Sequence, residues 1–259
     1  MARRRPSGIP DWTDAAGYAP LLELEGAGFA WEWLRRQPEY ETAARRALDR
    51  GEMGQDLEDK SAVAWNLHAF ENPDLAAKEA RPVWTAAAHP WVVRATAERS
   101  SAGEDALDLE RLGPLATHVR SHSEERLLLS DGRRSLRLDL RGGGIGRSRV
   151  HLSYELAGVE ALERPLLVLR RLRALTASGR FRLSLHPGVR RAHRLVQLLR
   201  THDALQVGAS QADIAQVLLR PGLEHSRWRI HSPSIRSQAQ RLAFAARQMS
   251  AGGFWRLLE

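Results

Sequence analysis

The chain of 259 residues contains no cysteine. This absence excludes disulfide-stapled scaffolds, zinc sites built from thiolates and cysteine nucleophiles, and it is compatible with a reducing compartment. The sequence also lacks a run of about 20 apolar residues, the length that a membrane-spanning helix needs. Arginines near the start are not followed by the apolar segment of a secretory signal. We therefore expect a cytoplasmic protein that does not insert into a membrane.

Motifs of common enzyme classes are missing as well. The sequence has no His-Glu-x-x-His, no Gly-x-Ser-x-Gly and no Walker loop. The glycine-rich run 142–146 precedes a predicted strand, so it is typical of a flexible connection and not of a dinucleotide cradle, which needs a helix next. His118 and His122 are four residues apart but have no further ligand pattern around them. We predict no metal site, no cofactor and no enzymatic activity.

Lysine is almost absent, and the 39 basic residues include only Lys60 and Lys78 beside the arginines. The net charge of +8 is unevenly distributed along the chain. Residues 1–120 carry 15 basic and 20 acidic groups, whereas residues 164–259 carry 17 arginines and four acids. A basic module of this kind favours binding to a nucleic-acid backbone. The alternative is a solvated, arginine-rich surface.

Residues 11–49 have a helical pattern, with capping residues at Asp11 and Asp14 and an interruption at Pro38. The stretch is dense in aromatic side chains, namely Trp12, Tyr18, Phe29, Trp31, Trp33 and Tyr40. We favour the interpretation that they form a core, because a small module needs large side chains to bury enough area. The alternative is a partner-docking surface formed by Trp31, Trp33, Arg35 and Arg36.

The middle of the chain predicts strands. Residues 126–130 and 135–140 flank the dipeptide Asp131-Gly132. This order is typical of a hairpin, because glycine supplies the positive φ of a tight turn and the second segment alternates in polarity. Further predictions are a short strand at 91–95, a polar loop at 98–110 and a strand at 150–156.

The last hundred residues have helical periodicity. Helices are predicted over 160–176, 188–205, 210–219 and 234–249. In the first of these, one apolar face consists of Leu166, Leu169 and Leu172. In the last, residues spaced by four, three, four and three form an apolar stripe of Ile235, Ala239, Leu242, Ala246 and Met249.

The segment 208–249 carries the strongest functional signal. Ser210 and Asp213 match a Ser-x-x-Asp helix cap, and the short helix that follows resembles the first helix of helix-turn-helix DNA readers. Residues 220–233 form a link of fourteen residues, where three or four are usual, so we expect a variant of that motif. The alternative is an ordinary three-helix bundle whose polar face contacts proteins.

If the apolar stripe of the last helix is buried, its polar residues face outward and can contact DNA. A recognition helix reads bases through its N-terminal part, where arginine suits guanine and glutamine suits adenine. The predicted base-reading residues are Ser234, Arg236, Ser237, Gln238 and Arg241. The predicted phosphate contacts are Arg190, Arg191, Arg194, Ser210, Gln211 and Arg247. Arg3-Arg4-Arg5 is a candidate minor-groove arm, the alternative being a disordered end.

Segments at both ends of the chain resemble one family of regulators. They are Pro10-Asp11-Trp12, Phe29-Ala30-Trp31-Glu32-Trp33-Leu34-Arg35-Arg36, Ala209-Ser210-Gln211, Ile214-Ala215, Trp228-Arg229-Ile230 and Gly252-Gly253-Phe254-Trp255. The family comprises proteobacterial regulators of integrative and conjugative elements related to the frameshifted excision activator. The resemblance implies a C-terminal helix-turn-helix variant, with activation by two-domain members and antiactivation by short ones. Both modules are present here in one frame, which implies an activator.

We thus predict a mainly α protein with a small antiparallel β element, of class α+β. An acidic helical module at 1–62 precedes residues 63–259, which hold a β segment at about 90–157 and a basic helical domain at about 160–259. The predicted function is sequence-specific binding of double-stranded DNA, to activate excision or transfer genes of a mobile element. RNA polymerase, an antiactivator protein or a second copy would be the protein partner. The alternative is an adaptor or antiactivator that binds another helix-turn-helix regulator without contacting DNA.

Overall fold

The computed structural model describes residues 8–51, 58–99, 106–121, 124–142, 149–220 and 233–259. Its α-helices are α1 (Ala15–Tyr18), α2 (Gly26–Leu34), α3 (Pro38–Asp49), α4 (Leu109–Leu112), α5 (Glu163–Ser178), α6 (Ala192–Gln206), α7 (Gln211–Ile214) and α8 (Pro233–Ser250). Its strands are β1 (Val92–Arg99), β2 (Leu107–Asp108), β3 (Ala116–Arg120), β4 (Glu124–Ser130), β5 (Ser135–Arg141) and β6 (Arg149–Glu155). Predictions outside the described residues are those for Arg3-Arg4-Arg5, Gly143 to Gly146, Trp228 and Ile230.

The N-terminal helices confirm the pattern predicted for residues 11–49. The Asp14 carboxylate accepts hydrogen bonds from the backbone N–H groups of Ala16 at 2.9 Å and Gly17 at 3.1 Å, which caps α1. Pro38 occupies the first turn of α3, where a backbone N–H would have no acceptor within the helix, so its absence in proline costs no hydrogen bond. The helical pattern is therefore set by local chemistry at both helix starts.

The six strands form one mixed sheet in the order β2-β6-β1-β5-β4-β3. The predicted hairpin is confirmed, since β4 and β5 are antiparallel and Ser130 pairs with Ser135. Gly132 in its turn has a φ of 87°, and an added Cβ would lie 1.9 Å from the carbonyl oxygen of Lys78. The prediction of a small antiparallel element is wrong in size and type, because β1 pairs with β5 in parallel. The unpredicted β3 and β2 add the two edges.

Helix α5 covers one face of this sheet with a different stripe from the one predicted. Val168, Leu172 and Leu175 are buried in the core of the sheet, whereas Leu166 is 43% exposed. Spacings of four and three keep residues on one helix face, but the predicted spacing of three and three drifts around the helix. The predicted face of Leu166, Leu169 and Leu172 is therefore wrong for its first member. The polar loop predicted at 98–110 is shorter than expected, because β1 extends to Arg99 and the residues from Leu107 onward belong to β2 and α4.

A second apolar core joins the two ends of the chain. It contains Trp31 and Trp33 from α2, Leu199 from α6 and Leu242 from α8. The ring of Trp33 meets that of His202 edge-on, with the centroids 5.4 Å apart. The predicted division at residue 62 stays a prediction, and residues from both sides of it contribute to this core.

The four residues of the alternative docking surface lie inside this part of the protein. Trp31 and Trp33 are 0% exposed, Arg35 is 1% exposed and Arg36 is 7% exposed. Side chains without accessible area cannot dock a partner, so the docking prediction for these residues is contradicted by the structure. The preferred interpretation, that the aromatic side chains form a core, is confirmed for Tyr18, Phe29, Trp31, Trp33 and Tyr40.

Candidate nucleic-acid interface

Three helices near the C-terminus build the candidate interface. Helix α8 packs against both α6 and α7. At the contact with α7, Ala239 of α8 is buried with Ala212 and Ala215. These small side chains let the two backbones approach closely. The arrangement agrees with the three-helix organisation that the sequence predicts.

The predicted cap of α7 is confirmed as a reciprocal capping box. Ser210 Oγ accepts a hydrogen bond from the Asp213 backbone N–H at 3.2 Å, and the Asp213 carboxylate accepts one from the Ser210 N–H at 2.8 Å. Residues Ala215–Leu219 continue the helix as a π-helical turn. The cap uses free N–H groups of α7 and places a negative charge beside them. Phosphate contacts at Ser210 and Gln211 stay predictions, and any such contact has Asp213 as its neighbour.

Helix α8 has one buried and one exposed face. The predicted apolar stripe is confirmed, since Ala239, Leu242 and Ala246 are fully buried and Ile235 and Met249 are partly buried at its margins. Four of the predicted base-reading residues are exposed and one is half-buried. In chain order they are Ser234, Arg236, Ser237, Gln238 and Arg241, of which Ser237 is the half-buried one. The structure therefore brings all five together on the first two to three turns of one helix.

The exposed face of α8 carries positive charge only. Residues 233–250 include Arg236, Arg241 and Arg247 and no acidic residue. All three side chains are exposed, and none forms an ion pair with another residue of the part of the chain that the structure describes. Charges that are exposed and not neutralised are available to an anionic partner.

The other predicted phosphate contacts lie at the start of α6. Arg190, Arg191 and Arg194 are all exposed. Arg194 donates a hydrogen bond to the Gln197 side-chain oxygen at 2.8 Å. These arginines add positive charge at the N-terminal end of a second helix of the same three-helix unit. Their contact with phosphate remains a prediction.

The opposite end of α8 is anchored to the N-terminal part of the chain. The Gln37 amide donates a hydrogen bond to Ser250 Oγ at 3.3 Å, and Phe254 just beyond the helix is buried. Helix α6 is tied down in the same way, because Arg200 donates to the backbone oxygens of Trp12 at 2.9 Å and Thr13 at 3.0 Å. The N-terminal half of α8 is therefore presented from a fixed scaffold.

A buried ion network underlies α6. Arg36 donates to the Asp203 carboxylate at 2.9 Å and to Glu32 at 2.5 Å, and Arg35 donates to Glu32 at 2.8 Å. The Tyr18 hydroxyl donates to Asp203 at 2.6 Å. These bonds connect α2 and the end of α1 to α6.

The pKa values of the network keep its salt bridges charged. Burial lowers the pKa of Arg36, but Asp203 and Glu32 outweigh burial and raise it. Burial raises the pKa of Glu32, but Arg35 and Arg36 outweigh burial and lower it. Burial and the Asp203 charge raise the pKa of Tyr18, so its hydroxyl stays protonated and donates. Glu32 and Arg36 are therefore charged near neutral pH, and Tyr18 is neutral.

Sequence reasoning missed Phe244, which is 63% exposed on the outward face of α8. The other four phenylalanines are 8% exposed or less, namely Phe29, Phe70, Phe181 and Phe254. The signal was present in the spacing, because position 244 falls outside the buried stripe and three residues after Arg241. An apolar ring therefore stands among the predicted DNA contacts.

Candidate metal sites and membrane-spanning helices are absent from the part of the chain that the structure describes. Within the described ranges, no three His, Asp or Glu side chains come together in a way that could hold a metal ion. His118 pairs with Glu125, and its neighbour His122 in the sequence lies outside those ranges. The same described residues include no helix long and apolar enough to cross a membrane.

Comparison with known families gives two partial matches. Residues 156–259 match a family described as "T6SS, Transcription factor, DNA binding domain", and residues 11–68 match one described as "Proteobacterial transcriptional regulator-like domain". No curated protein and no solved structure matches the chain. Together the two matches indicate a transcriptional regulator with a DNA-binding domain. The DNA-binding match contains α5 to α8, and so includes the exposed face of α8.

Proposed function

We propose that the protein is a sequence-specific activator of transcription that binds double-stranded DNA and has no enzymatic activity of its own. The outward face of α8 carries this proposal. Arg236, Gln238 and Arg241 are exposed on the N-terminal half of a helix whose other face is buried. That helix lies within the segment that matches a DNA-binding domain.

The residues divide between reading and holding DNA. The major groove, about 12 Å wide, admits an α-helix, and its base edges suit the arginine and glutamine side chains of α8. Arg236, Arg241 and Gln238 are assigned to bases, with Ser234 and Ser237 beside them. The phosphate contacts are assigned to Arg190, Arg191, Arg194 and Arg247, which supply the part of the affinity that does not depend on sequence.

Activation is assigned to the N-terminal part of the chain. Residues 11–68 match a regulator-like domain, and their helices hold α6 and α8 through the shared core. In this proposal RNA polymerase is contacted through the exposed surface of this part, since most of its aromatic side chains are buried. The resemblance to regulators of mobile elements supports excision or transfer genes as targets, and the description of the DNA-binding match supports T6SS genes.

The first experiment is selection of binding sites by the full chain from random genomic fragments, at two salt concentrations. We compare the protein with the double variant Arg236→Ala/Arg241→Ala and with a matched control, Arg46→Ala/Arg94→Ala. The control removes the same charge from exposed positions of α3 and β1. We expect one enriched motif with the parent and the control, and its loss with the α8 variant. Genes next to the motif then distinguish the two target classes.

Other results would contradict the proposal in different ways. Salt-sensitive binding without an enriched motif would leave only a basic surface. No binding at either salt concentration would favour the adaptor that contacts another regulator, for which the exposed ring of Phe244 is the supporting observation. Cleavage or nicking of DNA in the presence of a divalent metal would contradict the absence of enzymatic activity.

A further inference from the structure

Phe244 lies in a stripe on the outward side of α8, of which only the first residue, Ser237, is half-buried. Ser237, Arg241, Phe244 and Gln248 follow one another at spacings of four, three and four residues. This spacing places them on one helix face, opposite the buried stripe centred on Leu242. A phenyl ring that is 63% exposed at such a position leaves most of its apolar area in contact with water. Its free energy is improved only by a partner that covers it.

The charge around the ring restricts what that partner can be. Arg241 and Arg247 lie one turn to either side of Phe244, and no acid occurs within 233–250. A second copy docked face to face would set these arginines against each other, which is unfavourable. The ring therefore fits a partner that is anionic around the contact and apolar at its centre.

Double-stranded DNA meets both conditions in the major groove. Phosphates line the rim of the groove, and each thymine presents its C5-methyl group to the groove floor, where an apolar side chain such as phenylalanine can cover it. Phe244 lies three residues beyond Arg241, which is about 4.5 Å along the helix axis. That rise is about one to two base-pair steps of about 3.4 Å. A base contacted by Phe244 is therefore a close neighbour of the base contacted by Arg241.

We propose that Phe244 determines specificity by packing on the C5-methyl group of a thymine next to the base that Arg241 reads. The inference rests on the proposed function, because it needs α8 in the major groove. It adds to that function a preference for one methyl group, read by a side chain that makes no hydrogen bond to a base.

The test replaces thymine by uracil, which lacks only the C5-methyl group. The probe is the duplex that the full chain selects, synthesised with one deoxyuridine at a time in place of each thymidine. Binding of the parent, Phe244→Ala and the control Val159→Ala is measured against every duplex. Val159 is 85% exposed and lies outside α8, so its truncation removes apolar surface of a similar kind elsewhere.

We expect one position, or its symmetry equivalent, at which uracil weakens binding of the parent and of Val159→Ala about fourfold, the value for one buried methyl group. Phe244→Ala binds the thymine duplex more weakly and no longer distinguishes the two bases at that position. Uracil and thymine form the same base pair with adenine, so the two duplexes differ only in the methyl group. Phe244→Leu, which keeps an apolar side chain, retains part of the discrimination.

Two results would overturn the inference, and they differ from each other. If a motif is selected but Phe244→Ala discriminates thymine from uracil as the parent does at every position, the ring does not read a methyl group while the proposed function stands. If no motif is selected, the proposed function and the inference fail together. Circular dichroism of Phe244→Ala checks that its fold is unchanged, as expected for an exposed side chain.

Discussion

Two arginines just after α2 and three arginines of α8 have opposite environments. Arg35 and Arg36 at the end of α2 are buried, and their guanidinium groups donate to carboxylates at 2.5–2.9 Å. Arg236, Arg241 and Arg247 of α8 are exposed and form no ion pair with another described residue. Arginine thus connects helices through buried ion pairs near the start of the chain, and it is exposed and available to an anionic partner near the end.

The supply of nearby acids explains the difference. The first 120 residues contain 20 acids, and Glu32 lies in the last turn of α2, three and four residues before Arg35 and Arg36. The last 96 residues contain four acids, and one of them, Asp203, is used by the network around Arg36. A buried charge needs a partner because its desolvation is costly, whereas an exposed charge does not. The presence of nearby Asp or Glu carboxylates therefore distinguishes the buried, structural arginines from the exposed ones that are available for binding.

Asp203→Ala removes a carboxylate partner of the buried Arg36 and has the largest expected effect on stability. It leaves Arg36 buried with Glu32 as its one remaining carboxylate partner, and it removes the nearer of the two acceptors of the Tyr18 hydroxyl, the other being the Pro10 carbonyl oxygen at 3.2 Å. We expect a loss of about 3–5 kcal/mol in the free energy of unfolding, as for other buried pairs that lose one partner. Urea unfolding measures it, with the exposed acid Asp49→Ala as a control that changes stability by less than about 0.5 kcal/mol. A loss of under about 1 kcal/mol would show that Arg36 is not held by Asp203.

Another buried arginine, Arg137 of β5, lies beside His68, and this pair gives a prediction for the pH dependence of stability. His68 Nδ1 lies 2.8 Å from Glu58 and its Nε2 lies 3.3 Å from Arg137, which can only donate, so the neutral ring with its proton on Nδ1 satisfies both contacts. Burial and the charge of Arg137 lower the pKa of His68 to about 4. The hydrogen bond to Glu58 and the charge of Asp139 favour protonation, and the charge of Arg126 opposes it.

Because the folded pKa of His68 is below the unfolded value of about 6.5, the unfolded chain binds the proton first as the pH falls. The stabilising contribution is present above about pH 6.5 and is lost toward pH 4. We expect a loss of about 2 kcal/mol between pH 7 and pH 5 from this residue. Unfolding of the parent and His68→Gln at both pH values measures it, with the exposed His193→Gln as control. Equal pH dependence in all three proteins would contradict the assigned pKa.

On the exposed side of the comparison, Arg241→Ala is the sharpest change. We expect it to lower specific DNA affinity by about 1–3 kcal/mol and to relax preference at one base pair. Stability should change by less than about 0.5 kcal/mol, since the side chain is exposed. Titration of the selected duplex and of duplexes changed at each position measures both effects. Unchanged specific affinity in a folded variant would remove Arg241 from the base-reading set.

Local signals predicted much of the fold and of α8. Two helix caps and one hairpin turn depend only on residues close to each other in the sequence, so the sequence predicts them. They are the caps at Asp14 and Ser210 and the turn at Asp131-Gly132. The buried stripe of α8 fixes its exposed face in the same way, because helix periodicity determines both.

Long-range pairing was not visible in this way. Arg36 and its partner Asp203 are separated by 167 positions, so the sequence alone gives no reason to expect a buried ion pair and allows Arg36 on a docking surface. The parallel pairing of β1 with β5 likewise depends on the arrangement of the sheet and not on either strand alone. Phe244 was missed for another reason: an exposed ring breaks the rule that large apolar side chains are buried.

The smallest expected effect belongs to Arg247, which is assigned to a phosphate and not to a base. Arg247→Ala should weaken binding to the selected duplex and to an unrelated duplex by the same factor, because phosphates carry no sequence information. The slope of log binding constant against log salt concentration should become shallower by about 0.9, the value for one phosphate contact. Gln248→Ala, an exposed neutral neighbour on α8, is the matched control and should leave that slope unchanged. If Arg247→Ala instead changed which sequence is preferred, the free cations of α8 would all be readers of bases, and the phosphate contacts would rest on α6 alone.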